Sequence, residues 1–379
     1  MSIYNARPGG GSSSGYALVA LASDKSSISL DVNKTSDTFT ITYEGDGDLT
    51  VTSSNTSIAT VALVSGKTYR VTAGNNKQGS VTIIAKATVG EHTIPVNEVE
   101  INVTVDTIVA TNVLNDNDWD VISAVSQAGQ VSNYWAVGDR KAVTLNGTIG
   151  GNLTLSNTTL YVYILGINHN GSTGITFGGF KNALAGGADV ALCDSGYNSE
   201  KTSGTWFNMN NSRSNAGGWA KCRMRYYVLG STDSSSGDNA SSTTATSPVS
   251  NTLMSALPSA LRAVMKPMTV YSDNRSSSTT SVSATTDYLP LLAEYEVFGS
   301  KTYAATLESS NGIQAQYQYY KNGNSKVKYK HNATSTSCIW WLRSTDASSA
   351  YGFCFVGTGG SASNYYADYS YGIAPIFLV

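Results

Sequence analysis

From Ser26 onward, apolar and polar residues alternate in short runs. Ile28-Ser29-Leu30-Asp31-Val32 comes first, then Phe39-Thr40-Ile41-Thr42-Tyr43, Leu49-Thr50-Val51 and Ile58-Ala59-Thr60-Val61. Tyr69-Arg70-Val71, Val81-Thr82-Ile83-Ile84-Ala85 and Ile101-Asn102-Val103-Thr104-Val105 complete the series. A period of two sends successive side chains to opposite faces of a strand. With β-branched enrichment and turn residues between the runs, the pattern predicts a seven-stranded antiparallel sandwich over residues 26–106. Residues 1–25 are Gly/Ser-rich and aperiodic, which predicts a flexible arm, and residues 107–116 read as a linker.

After Asn117 the pattern changes. Apolar residues at Trp119, Ile122 and Val125 follow a helical period, with Asn117 or Asp118 placed to cap the helix. A second helical pattern covers residues 251–265 through Leu253, Leu257, Leu261 and Val264, and Pro258 breaks or restarts it. Short strands are expected at 160–167 and 327–330. Two hydroxyl-rich stretches, 231–250 and 272–286, read as exposed loops. Residues 117–379 are therefore an expected α+β domain.

Composition narrows the function. Only 13% of residues are charged and the net charge is −2, so the surface is hydroxyl and amide rather than ionic, and nucleic acid is not an expected partner. The apolar run from Tyr16 to Ala22 is too short for a signal segment, and no run is long enough for membrane insertion. Cys193, Cys222, Cys338 and Cys354 form no CxxC pair, so neither zinc nor a disulfide framework is expected.

Two resemblances refine this. Ser54-Asn55-Thr56-Ser57-Ile58-Ala59-Thr60-Val61, Tyr69-Arg70-Val71-Thr72-Ala73 and Gly79-Ser80-Val81-Thr82-Ile83 resemble bacterial Ig-like domains of the invasin/intimin type, which implies a spacer. Downstream, an ordered series of phrases stands out. It comprises Trp135-Ala136-Val137-Gly138-Asp139-Arg140, Gly217-Gly218-Trp219-Ala220-Lys221-Cys222-Arg223-Met224-Arg225 and Glu294-Tyr295-Glu296-Val297-Phe298-Gly299. Gln316-Tyr317-Gln318-Tyr319-Tyr320, Trp340-Trp341-Leu342-Arg343-Ser344 and Gly372-Ile373-Ala374-Pro375-Ile376-Phe377 close it. The series resembles the C-type-lectin-fold variable proteins of diversity-generating retroelements. In such systems a reverse transcriptase recopies the 3′ end of the gene with errors at adenines. The fold then displays the rewritten residues to a ligand, and sugar binding does not follow from the lectin name.

The window 344–372 has the composition this implies. It is rich in Ser, Tyr, Gly and Ala and lacks Lys, Glu, Gln, Trp and Met. Starting from an asparagine codon, none of those absent types is reached by changing adenines alone. Tyrosine gives a large, rigid, amphipathic contact surface, and Ser, Gly, Asn and Asp add adaptable hydrogen bonds, as in antibody paratopes. The expected varied, ligand-binding positions are Asp346, Ser348, Ser349, Tyr351, Gly352, Phe355, Gly357, Gly359, Ser361, Ser363, Asn364, Tyr365, Tyr366, Asp368, Tyr369 and Tyr371. Phe353, Val356, Ala362, Trp340, Trp341, Leu342 and a closing strand at 373–379 are expected scaffold, with at least one tryptophan in the core. Cys354 reads either way.

Catalysis and metal binding are weaker readings. The same fold hosts formylglycine-generating oxidases, which use a close cysteine pair. Here Cys338 and Cys354 are well separated in sequence, and His92, His169 and His331 are scattered. Glu294 and Glu296, on one side of an expected strand with Asp287 near in sequence, could suggest calcium. The Glu-Pro-Asn or Gln-Pro-Asp tripeptides of calcium lectins are missing, so pairing with Arg223, Arg225 or Arg343 is the expected account. No cofactor, metal or catalytic residue is expected. The expected function is a receptor-binding adhesin on a phage tail fibre. Its ligand would be a host-surface protein or glycan, the N-terminal arm would join it to the virion, and homotrimers are implied by relatives. The alternatives are a bacterial cell-surface location, an undiversified structural or surface-display adhesin and, after these, a formylglycine-generating-type oxidase.

Overall fold

The structure is a computed structural model that describes residues 18–379 apart from 33, 46, 75–77, 90–91, 107–109, 232–244, 276–280 and 311–313. Strand dominates, at 42% against 16% helix, and the chain divides into two compact units, residues 1–109 and 110–379.

The first unit holds two four-stranded sheets. One runs Leu18–Ser23, Phe39–Gly45, Thr68–Ala73, Ala59–Ser65. The other runs Ser27–Asp31, His92–Asp106, Gly79–Val89, Asp48–Ser53. The alternation seen in sequence is the alternation of burial: Phe39, Ile41, Val71, Ile83, Ile101 and Val103 are fully enclosed, while the intervening Thr40, Thr42, Arg70 and Asn102 face water. Two expectations are corrected. Leu18–Ser23 lies in the stretch read as a flexible arm, yet it pairs antiparallel with the Phe39–Gly45 strand. An antiparallel sandwich was expected, but Ser27–Asp31 pairs with His92–Asp106 in parallel. The Gly-rich residues 8–15 lie outside the described residues.

The second unit is built on a seven-stranded sheet. Its order is Ala333–Cys338, Lys328–Lys330, Asp189–Ala191, Ile175–Lys181, Leu153–Ile167, Arg140–Ile149, with Ile376–Leu378 also paired to Ile175–Lys181. The closing strand is thus shorter than expected, and Ile373 makes its own bridge to Leu192. The helix Trp119–Gln127 begins after Asp118, and Trp119 packs edge-on against Phe177 with ring centroids 5.4 Å apart. Pro258 does interrupt its helix, separating Leu253–Ala256 from Ser259–Val264, because a proline offers no N–H to the preceding turn. The stretch 272–286 is no simple loop: Met268–Asp273 pairs with Val282–Asp287 as a hairpin, with Ser272 and Asp273 buried. Residues 232–244 of the other hydroxyl-rich stretch lie outside the described residues.

A third sheet, Trp340–Thr345, Gly352–Val356, Ala362–Tyr366, carries the tyrosine-rich segment. Every residue of its first two strands is buried.

Candidate ligand-binding face

Trp340 and Trp341 are both core, although adjacent strand residues face opposite sides, because each face of this strand is covered. Their indole N–H groups donate to the Lys326 and Phe207 carbonyls, each at 3.0 Å, so neither is a free stacking platform. Behind the sheet, Arg343 binds Glu296 through two nitrogens at 2.6 and 2.8 Å and donates to the Leu291 carbonyl at 2.7 Å. A buried bidentate pair with its remaining hydrogen-bonding groups satisfied is the arrangement in which burying charge is tolerated.

The loop between the first two strands is clamped from a distant part of the chain. The fully buried Asn215 donates through Nδ2 to the Ser349 and Gly352 carbonyls at 2.7 and 3.0 Å, and its backbone N–H donates to the Ala350 carbonyl. Asp346 Oδ1 accepts from the N–H and hydroxyl of Ser348 at 2.9 and 2.8 Å, which closes a local turn. The next turn, 357–361, is closed by Gly357 N–H on the Ser361 carbonyl at 2.8 Å, with Gly360 at φ +83°.

After the Ala362–Tyr366 strand the backbone is held by a second distant segment. Asn198 and Lys201 donate to the Ser370 and Asp368 carbonyls at 2.7 and 2.6 Å. Asp194, buried, accepts from the Ser370 hydroxyl at 2.7 Å and from the Phe207 and Gly196 N–H groups. Burial pushes its carboxyl above the ordinary range despite these three donors.

On this frame the expected positions separate into two groups. Ser348, Tyr351, Gly359, Ser361, Tyr365 and Tyr366 are exposed, and Ser349, Gly357, Ser363, Asn364 and Tyr369 are half-buried. Tyr351 is 55% exposed, Tyr365 38% and Tyr366 36%. Tyr365 forms the hub of an aromatic cluster, with Tyr366 at 5.0 Å and Tyr369 edge-on at 4.6 Å. The Arg213 guanidinium lies 4.5 Å above the Tyr366 ring and is neutralised by Glu200 and Asp368 at 2.7 and 3.1 Å.

Asp346, Gly352, Phe355, Asp368 and Tyr371 are buried, which corrects the expectation that they face a ligand. The reasons are specific. Asp346 closes its turn. A Cβ on Gly352 would stand 2.6 Å from the Tyr365 carbonyl oxygen. Phe355 and Tyr371 pack on Trp341 with centroids 6.1 and 4.8 Å away, and Asp368 receives Arg213. The expected scaffold residues Phe353 and Val356 are buried, Ala362 is half-buried, and Cys354 is enclosed.

Sequence reading missed Asn215, Asp194 and Arg213. Each acts on the segment from over a hundred residues away, and no local period marks it. The acidic trio also resolves differently from the expected strand. Glu294 and Glu296 begin the helix Glu294–Phe298. Glu294 accepts from the N–H groups of Thr302, Tyr303 and Ala304, while Asp287 accepts from Arg225 at 2.6 Å and from the Trp219 indole at 3.0 Å. Arg223 instead lies over Tyr227. Among the described residues no group of three His, Cys, Asp or Glu side chains could hold a metal ion, and no helix is long and apolar enough to cross a membrane. His169 stacks on Tyr317 at 3.7 Å, while His331 Nδ1 accepts from the Cys193 N–H at 3.2 Å. The His92 side chain lies outside the described set.

Residues 199–379 match the model of a domain of unknown function, DUF6273, so the match includes the whole tyrosine-rich face. No curated protein matches the chain. Among solved structures, domains 4 and 5 of the S-layer protein SbsC align at 27% identity and TM-score 0.19, over 24% of this chain and 53% of that one. A longer SbsC fragment aligns at 22% identity and TM-score 0.20, over 46% of this chain and 24% of that one. A Bacteroides ovatus GH5 xyloglucanase aligns at 14% identity and TM-score 0.18, over 36% and 27%. The chain spans about half (53%) of the length of the SbsC two-domain fragment. None of these superpositions reaches a TM-score from which a shared fold follows.

Proposed function

We propose that this chain is a receptor-binding adhesin whose ligand contacts the face formed by Ser348, Ser349, Tyr351, Ser361, Ser363, Asn364, Tyr365, Tyr366 and Tyr369. The observation that carries the reading is the division within one short segment: exposed and half-buried Tyr and Ser residues, on the connecting loops and on the outer strand Ala362–Tyr366, flank two strands whose own residues are wholly buried. Such a frame holds rigid aromatic contacts in place while leaving the contact residues free to differ. Arg213 offsets one of the two carboxylates of Glu200 and Asp368 and leaves one net negative charge, so the face suits a neutral glycan or polypeptide surface better than a strongly acidic one.

The finer reading rests on the sequence resemblance. In it, the second unit is a C-type lectin fold, the first an Ig-like spacer, and the exposed positions are rewritten by adenine-directed retroelement copying. The chain then belongs on a phage tail fibre, with homotrimers adding avidity. An undiversified surface adhesin shares the same face without the rewriting.

The binding claim is tested by comparing the protein with a Tyr351→Ala/Tyr365→Ala/Tyr366→Ala variant on arrays of bacterial surfaces and neutral glycans. Binding by the first and at least tenfold weaker binding by the second is expected. Equal binding by both places the contact elsewhere.

A further inference from the structure

The two edges of the three-stranded sheet differ. On the Trp340–Thr345 side the backbone is occupied: Trp341 N–H donates to the Gly372 carbonyl at 2.9 Å, and Arg343 N–H to the Leu292 carbonyl at 2.8 Å. The other edge is Ala362–Tyr366, whose inner neighbour is Gly352–Val356.

The register fixes which backbone groups of that edge point outward. Gly357 N–H donates to the Ser361 carbonyl, and Ala367 N–H to the Tyr351 carbonyl. Both bonds fall on the register that sets Phe353 opposite Tyr365 and Phe355 opposite Ser363. Hydrogen-bonded and non-hydrogen-bonded pairs alternate along an antiparallel ladder. Ser363 and Tyr365 therefore direct their N–H and C=O groups to the inner strand, while Ala362, Asn364 and Tyr366 turn theirs away from it. The Tyr366 carbonyl accepts from the Tyr369 N–H at 3.2 Å. Among the described residues no hydrogen bond reaches the N–H or C=O of Ala362 or Asn364, or the N–H of Tyr366. A row of unpaired donors and acceptors thus runs beside the exposed Tyr365 and Tyr366.

Sheet edges are commonly guarded by charge, proline or a bulge. The outer strands of the seven-stranded sheet, Arg140–Ile149 and Ala333–Cys338, each break register with their neighbour. Ala362-Ser363-Asn364-Tyr365-Tyr366 keeps an unbroken register and carries neither a charge nor a proline. Its residues run from half-buried to exposed.

We propose that the ligand of this face is an extended polypeptide segment that adds to Ala362–Tyr366 as a further strand. The assignment rests on the reading of this face as a contact surface and narrows its ligand to one class. Alternating N–H and C=O groups on a strand edge are matched by another polypeptide backbone, and a glycan has no such repeat. The added strand lies about 4.8 Å away. Its alternate side chains fall beside Tyr365 on one face of the sheet and beside Asn364 and Tyr366 on the other, where cross-strand ring contacts support the ladder. Glu200 and Asp368 together outweigh Arg213, which disfavours an acidic segment. The ladder uses backbone groups alone, so it persists when the side chains at Ser363, Asn364, Tyr365 and Tyr366 are exchanged. Those side chains select the partner's sequence.

The test selects a phage-displayed library of random linear peptides on the full, folded chain. The expected result is a set of binding peptides whose affinity falls about tenfold or more with Asn364→Pro, which removes one outward N–H. Proline is accepted at strand edges, and thermal unfolding checks that the variant is folded. Asn364→Ala, which keeps that N–H, should retain more of the binding. Synthetic copies of a selected peptide, methylated at one backbone nitrogen at a time, give a reading that needs no variant. Methylation should abolish binding at alternate positions and leave it at the positions between. No selected peptide, or methylation without that alternation, would overturn strand addition. Peptides lost with Tyr351→Ala/Tyr365→Ala/Tyr366→Ala but indifferent to Asn364→Pro would overturn it too, and would leave the contact surface standing. Peptides indifferent to both variants bind elsewhere and count against both readings.

Discussion

Asn215 donates its side-chain amide to the Ser349 carbonyl at 2.7 Å, so a buried residue from one loop fixes the backbone of another loop whose side chains face water. The same amide reaches the Gly352 carbonyl at 3.0 Å. Removing it leaves buried carbonyls without partners. Asn215→Ala should cost about 2–3 kcal/mol in chemical denaturation. Asn215→Asp, which turns a carboxylate toward those carbonyls, should cost more.

The tyrosines of the segment should divide by burial. Tyr371, 3% exposed and packed on Trp341 and Phe355, should lose about 3–5 kcal/mol when truncated to alanine. Tyr351→Ala and Tyr366→Ala should shift stability by no more than about 0.5 kcal/mol. Thermal unfolding of the three variants measures the contrast.

This division shows what the sequence made legible. Alternation over Phe39-Thr40-Ile41-Thr42-Tyr43 is a direct record of burial in the first unit, and the tyrosine-rich composition of 344–372 coincides with a segment of the second in which exposed and buried tyrosines are mixed. Tyr369 and Tyr371 are not separable by type or by spacing. Tyr371 is buried because Trp341 and Phe355 converge on it, and that depends on packing across the three-stranded sheet. Gly352 is glycine because of the Tyr365 carbonyl opposite it, which a single strand read alone does not reveal.

Glu308 gives a pH signature. Burial raises its carboxyl from 4.5 to about 7, against hydrogen bonds from the Ser344 hydroxyl and the Asp273 N–H and the charge of Arg343. Because the folded value lies above the unfolded one, its contribution is fully present below about pH 4.5 and is lost as pH rises through about 7. The difference in stability between the protein and Glu308→Gln should therefore change by about 3 kcal/mol across that window. A flat difference would remove Glu308 from the account.

The Arg343–Glu296 pair should behave as a unit. Arg343→Met alone leaves a buried carboxylate uncompensated and should cost about 3–5 kcal/mol. Adding Glu296→Leu should recover most of that loss, as read by denaturant midpoints in a double-mutant cycle.

The central claim is that a rewritable contact face stands on a fixed frame. Deep sequencing of the 3′ end of the gene, from many independent isolates and together with its downstream DNA, tests it most directly. The account predicts a near-copy of the final coding segment that differs at adenines. It also predicts substitutions concentrated at Ser348, Ser349, Tyr351, Ser361, Ser363, Asn364, Tyr365, Tyr366 and Tyr369, sparing Trp341, Gly352, Phe353, Phe355 and Tyr371. Substitutions spread evenly over exposed and buried positions, or a segment with no such copy and no variation, would contradict it.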